Sequence, residues 1–249
     1  MVLHVVLLCL LSLCLRGTEA QLVNQNNLAE IIKYIQTQYN PGGQYAVAIN
    51  VPAKHCTEKF NLEDFKKVLE KDKPDNVKNV MKGDKKVYNG ERLIGATLLP
   101  DSKGPINPDT QKPYNFHSEY LLLIKSTPLA KDPNPNDPLM KKLLNRDGCV
   151  IFYTYNSPCT RTCLNEGNKE RNILNALNGL RNHKGPKAFV YNQIFNKDKN
   201  NTVLESYFKK IEGNNNIGKF LHRCYTDKKY KCQLCFNGGE AAKECLDQN

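Results

Sequence analysis

The sequence has no tryptophan, only three methionines and only five histidines. With so few imidazoles, no pair stands out as placed for acid–base cleavage of a phosphodiester, so a secreted ribonuclease is the weakest reading. Beyond the first twenty residues there is also no apolar run long enough to cross a bilayer, which needs about 20 residues. Acidic residues are in deficit, 25 against 36 Lys and Arg, for a formal charge of +11. A surplus of this sign suits nucleic acid, anionic glycans or microbial surfaces as partners, although it also fits a solvated lysine surface.

What is present begins with a leader. Residues 1–20, "MVLHVVLLCLLSLCLRGTEA", have a short apolar core and small residues at Thr18 and Ala20, the pattern of a secretory signal peptide. Cleavage there leaves a chain suited to one domain at 21–223 and a cysteine-rich tail at 224–249. Cys9 and Cys14 leave with the leader, and eight of the ten cysteines remain. A secreted location makes disulfides their default state. Asn200 opens an Asn-Asn-Thr glycosylation sequon in a polar stretch.

Periodicity then orders the chain. "NLAEIIKYIQ" spaces Leu28, Ile31, Ile32 and Ile35 as one helical face, and "QYAVAINV" (44–51) follows as a strand. "NLEDFKKVLEK" predicts a helix with Leu62, Phe65, Val68 and Leu69 inward, and the lysine-rich 66–86 segment, which also contains Glu and Asp, reads as a solvated helix face. "ERLIGATLL" (91–99) is the next strand. A helix begins near His117 with Leu121, Leu122 and Ile124, and the prolines of "STPLAKDPNPNDP" interrupt it. "CVIFYTY" (149–155) has the β-branched and aromatic continuity of a strand buried on both faces. A long helix carrying Ile173, Leu174, Leu177 and Leu180 follows, then the strand "KAFVYNQIF" (187–195), the helix "TVLESYFKKI" and a weaker strand, "KFLHRCY" (219–225). Alternation of this kind predicts an α/β sheet with several parallel neighbours.

Two motifs fall where helices are expected to start: His117-Ser118-Glu119, and Pro158-Cys159 with Cys163. One His and two Cys make three zinc ligands with a fourth position open, as a catalytic zinc needs. Cys159 and Cys163 are four apart, so on a helix they would share a face. Glu119, two beyond the His, is near enough to touch a zinc-bound water without being a ligand.

Residues His117, Glu119, Pro158, Cys159 and Cys163 give the chain a resemblance to the zinc-dependent cytidine deaminase-like superfamily, with its H-x-E…P-C-x-x-C signature. "YNSPCTRTC" resembles the AID/APOBEC-like branch, and the leader makes the secreted AID/APOBEC-like deaminases of vertebrates the best match. The chain differs in having three residues between its cysteines, a long gap from Glu119 to Pro158, and Asn156 where nucleic-acid-editing relatives carry tryptophan. The resemblance implies a three-layer α-β-α sandwich around a mixed five-stranded sheet, with a small disulfide-rich C-terminal tail. It implies Zn2+ as cofactor on His117, Cys159 and Cys163. It also implies Glu119 as the proton carrier while zinc-activated water attacks the amino-bearing ring carbon. Asn115, Tyr114, Ser157 and Phe195 are the implied substrate contacts, with Tyr191 as a further candidate for stacking on a base. The substrate would be single-stranded nucleic acid or a nucleoside, cytosine before adenine, and immune defence a plausible setting.

In the family's sheet the first strand runs antiparallel to the third, which implies a Cys56–Cys149 disulfide. Cys224, Cys232, Cys235 and Cys245 would then close the tail on itself, although Cys232 and Cys235 also have the spacing of a metal or redox pair. A second function class stays open: a non-enzymatic, cationic, zinc-containing secreted protein that binds anionic microbial surfaces or nucleic acid. Glu119 separates the two, because a binding protein has no use for a proton carrier beside an open zinc.

Overall fold

A computed structural model describes residues 22–104, 106–107, 111–131, 136–198, 201–215 and 217–247. The expected leader, residues 1–20, and the sequon residue Asn200 lie outside them. The chain opens with α1 (Gln25–Tyr39), whose first turn is capped by the Asn24 side chain accepting from the N–H groups of Asn26 and Asn27. β1 (Tyr45–Val51), α2 (Lys54–Thr57), α3 (Leu62–Val68) and α4 (Pro74–Lys82) come next, then β2 (Val87–Asn89) and β3 (Leu93–Thr97). Short paired segments follow: β4 (Leu99–Pro100), β5 (Ile106–Asn107), β6 (Lys112–Pro113) and β7 (Asn115–Phe116). The second half holds α5 (Ser118–Leu123), α6 (Leu139–Leu144), β8 (Cys149–Asn156), α7 (Leu174–Asn182), β9 (Lys187–Gln193) and α8 (Asn201–Asn215). β10 (Leu221–Asp227) and β11 (Lys229–Leu234) form the last hairpin, followed by a small pair, β12 (Phe236–Asn237) and β13 (Glu240–Ala241).

The main sheet is mixed, in the order β11-β10-β9-β8-β1-β3-β2, with β8, β9 and β10 parallel and the other pairs antiparallel. The architecture is the expected layered α/β one, but the sheet has seven strands rather than five. β2 is only three residues long, too short to show a period, and β11 lies in the segment read as tail. The 223/224 division falls inside β10.

Alternation along the central strands separates two cores. Ala46 and Ala48 of β1, with Val150 and Phe152 of β8, pack under α5, α6, α7 and α8. Tyr45, Val47 and Ile49 of β1, with Ile151 and Tyr153 of β8, pack under α1, α3 and α4. β8 is therefore buried on both faces, as its composition predicted.

Several local expectations change. Leu62 is 40% exposed rather than inward, because it opens α3 ahead of the buried Phe65. The lysine-rich segment is not one solvated face: it contains α4, whose Val77 and Met81 are buried. α6 was not anticipated, because its six residues directly follow a run of prolines. Most consequentially, Cys159 and Cys163 are not on a helix; they occupy an irregular turn, and α7 starts only at Leu174.

Three disulfides close the structure: Cys56–Cys149, Cys224–Cys232 and Cys235–Cys245. The first follows from register, since Val51 at the end of β1 faces Cys149 at the start of β8. Gly148 makes the approach possible, with φ +131° and a position where any Cβ would meet the Val51 carbonyl oxygen at 2.5 Å. Cys232 and Cys235 are thus bonded to different partners and form neither a metal pair nor a redox pair. Cys159 and Cys163 remain as free thiols.

Candidate metal centre

Because β1 and β8 run antiparallel with Ala46 opposite Thr154, the residue before β1, Gln44, lies beside the carboxyl end of β8. The parallel pair β8 and β9 ends at the same edge, with Asn156 opposite Gln193. Ligands of open α/β sheets collect at such carboxyl ends. The strip β7, paired to β4, delivers His117 to this edge as the N-cap residue of α5. Cys159 and Cys163 arrive on the turn that leaves β8.

His117 Nδ1 lies 3.3 Å from Cys163 Sγ and 3.6 Å from Cys159 Sγ. All three donor atoms fall within 4.8 Å of one another. In a tetrahedral zinc site with ligand bonds of ~2.0–2.3 Å, neighbouring donors stand roughly 3.6 Å apart. The donor set, one imidazole and two thiols, and its spacing therefore fit a zinc ion with one position left for solvent. A hydrogen bond with Cys163, helped by His117, pulls the Cys159 thiol down to about 3 against its burial. The same bond and burial push Cys163 well up. Burial pushes His117 down, but its hydrogen bond to Cys159 and the charges of Cys159 and Glu119 outweigh this and leave it raised. The direction of the Cys159 shift favours the thiolate, the form in which sulfur takes a metal.

Glu119 is only 2% exposed, and burial raises its carboxyl above the usual range. Ser118 donates to its Oε2 at 3.1 Å, and the Thr154 hydroxyl lies between its Oε1 at 3.1 Å and the Asn156 carbonyl at 2.9 Å, sharing one proton between the two acceptors. The Nε2 of Gln44 lies 3.1 Å from the Thr154 hydroxyl and 3.5 Å from Glu119 Oε1. Gln44 and Thr154 were missed in the sequence; their only signal was a place next to the ends of the two strands that frame the site.

A cavity of about 960 Å³ opens over His117, Glu119 and Cys159. Tyr114, Asn115, Ser157 and Phe195 all line it. Tyr114 is 44% exposed, and the buried Ser157 accepts the Phe195 N–H at 3.0 Å. Tyr191 does not reach the cavity: it is fully buried and donates to the Cys245 carbonyl at 2.6 Å. Its strand position, two residues before the end of β9, turns it into the core. Lys112, Arg161 and Lys197 add three cationic side chains to the lining.

A family model described as Secreted Novel AID/APOBEC-like Deaminase 1 matches residues 25–249. The chain belongs to this deaminase-like family. No curated protein and no solved structure gives a match. The match spans every element described above, from α1 to the last disulfide. Among the described residues no helix is long and apolar enough to cross a membrane.

Proposed function

We propose that the protein is a secreted, zinc-dependent hydrolytic deaminase acting on cytosine, before adenine, in single-stranded nucleic acid. The observation that carries this reading is the convergence of His117, Cys159 and Cys163 at tetrahedral spacing beside a buried carboxyl that is not one of the three donors. Zinc held there would supply Lewis acidity that makes water a nucleophile near neutral pH. Glu119 would take a proton from the attacking water, give it to the ring nitrogen beside the amino-bearing carbon, and pass a second to the departing ammonia. Its raised affinity for a proton suits that role, and the hydroxyls of Ser118 and Thr154 would hold its two oxygens in place. Six of the eight cysteines outside the leader are in disulfides, which supports an oxidising, extracellular setting.

Substrate class is supported by the lining. Tyr114 and Phe195 can stack on bases, and Lys112, Arg161 and Lys197 can neutralise phosphates. A free nucleoside offers such cations nothing to pair with. Asn115 and Ser157 are then proposed as polar contacts to sugar or base. The test is ammonia release from nucleosides and oligonucleotides by zinc-loaded protein and by Glu119→Ala. Loss of turnover with zinc retained supports the reading. Loss of zinc with Glu119→Ala would make that residue a ligand or structural group, and no release from any substrate would favour a non-enzymatic cationic binder.

A further inference from the structure

The turn bearing Cys159 and Cys163 has no helical ladder to hold it, so its shape must be fixed from outside. Within it, the Leu164 N–H reaches the Cys159 carbonyl at 3.0 Å and the Cys163 N–H points at Cys159 Sγ at 3.5 Å. The N–H of Thr160, which follows Cys159 at the start of the turn, has no local acceptor of the kind that caps a helix. It is met by a carboxylate 38 residues away: Asp198 Oδ2 accepts the Thr160 N–H at 2.8 Å, and Oδ1 accepts the Thr160 hydroxyl at 2.6 Å. Asp198 is 5% exposed, and no ion pair neutralises it among the described residues. Burying an unpaired carboxylate is costly unless its hydrogen bonds compensate, and these two bonds are directed at the residue next to a metal donor.

On the other side of Cys159 the same two segments are joined again. The Ser157 N–H reaches the Gln193 carbonyl at 2.7 Å, and the Ser157 hydroxyl accepts from Phe195. The turn is therefore stitched to the segment after β9 both before and after Cys159.

Building on the metal reading above, we infer that Asp198 is a positioning residue for the zinc site, acting through both bonds to Thr160 to hold Cys159 and Cys163 at ligand spacing. Partners that orient metal ligands commonly set affinity by about 10- to 100-fold. The same segment carries Phe195 and Lys197 into the cavity, so the brace also ties the lining to the ligand turn.

The experiment compares wild type with Asp198→Asn, Thr160→Val and Thr160→Ser, measuring zinc affinity against a chromophoric chelator and the visible absorption of the Co2+-substituted chain. The unfolding midpoint of each metal-free protein is measured alongside. Asp198→Asn is expected to weaken zinc binding about 10- to 100-fold and to alter the Co2+ ligand-field bands. Thr160→Val, which removes only the hydroxyl, should give a smaller loss in the same direction. Thr160→Ser, which keeps both bonds, should match wild type. A metal-free midpoint that holds while zinc affinity falls distinguishes positioning from a general structural role. Unchanged zinc affinity in Asp198→Asn, or a loss matched by equal destabilisation of the metal-free chain, would overturn the inference alone. A wild-type chain that takes up no zinc would overturn the metal reading, and this inference with it.

Discussion

Gln44 accepts the backbone N–H of Asn156 at 3.0 Å, joining residues 112 apart in the chain at the edge of the candidate metal centre. An N–H can only donate, so this bond fixes the amide oxygen on Asn156 and turns the amide nitrogen toward Thr154 and Glu119. Gln44 thus reads the end of β8 with one atom and orients the proposed proton carrier with the other. Gln44→Leu, similar in size but without hydrogen bonds, is expected to keep zinc and cut turnover by about 10- to 100-fold, since small misplacements of a reacting group cost this much. Turnover equal to wild type, measured on whichever substrate the ammonia assay identifies, would remove Gln44 from the machinery.

Why Gln44 was invisible in the sequence is instructive beside what was visible. That His117, Cys159 and Cys163 would cluster was legible because their residue types suit a metal and few other combinations do, and Glu119 came with His117 two positions away. Gln44 carries no such signal, and its role depends on the register that sets Ala46 against Thr154, which no local pattern encodes. The central strands were legible because β1 and β8 are hydrophobic on both faces. β2 and β11 were not, one being three residues long and the other sharing its sequence with a cysteine-rich tail. The four-residue spacing of Cys159 and Cys163 pointed to a helix, yet the structure meets the same spacing with a turn held by the remote Asp198. Spacing constrains which atoms can meet; it does not say what holds them.

The disulfides should differ in what they contribute. Cys56–Cys149 closes a 93-residue separation, whereas Cys224–Cys232 closes one of 8 across adjacent strands. In the chain-entropy account, the longer loop gives the larger stabilisation, by about 2 kcal/mol. Replacing Cys56 and Cys149 together by Ala should therefore lower the denaturant midpoint more than replacing Cys224 and Cys232. The reverse ranking would mean that the C-terminal hairpin needs its bridge for more than loop closure.

His222 gives stability a pH dependence of known sign. Burial pulls its imidazole down to about 4, although its Nδ1 faces the Phe220 carbonyl at 2.9 Å and that bond works in the opposite direction. In the unfolded chain a histidine titrates near 6.5. The unfolded state therefore takes up a proton first as pH falls, so the contribution is complete above pH 6.5 and is lost progressively down to about 4. The loss from this one group is on the order of 3 kcal/mol. Unfolding free energies of wild type and His222→Gln, followed across that window, should converge as the solution is acidified. Parallel curves would assign the acid sensitivity elsewhere.

The cations of the cavity decide the substrate question through salt. Lys112, Arg161 and Lys197 line the opening with Tyr114 and Phe195. A single strand that pairs its phosphates with all three should bind with a slope of log affinity against log salt near −2, about −0.7 for each contact. Replacing any one of them by Gln should flatten the slope by about 0.7 while leaving zinc content unchanged. Deamination of an oligonucleotide should accordingly fall steeply from low to physiological salt, and free cytidine should show little change. Efficient, salt-insensitive turnover of cytidine or adenosine with inert oligonucleotides would reject the polynucleotide reading. In that case the three cations would sit beside a nucleoside pocket without a phosphate to meet, and the net charge of +11 would have to serve attachment to some other anionic surface.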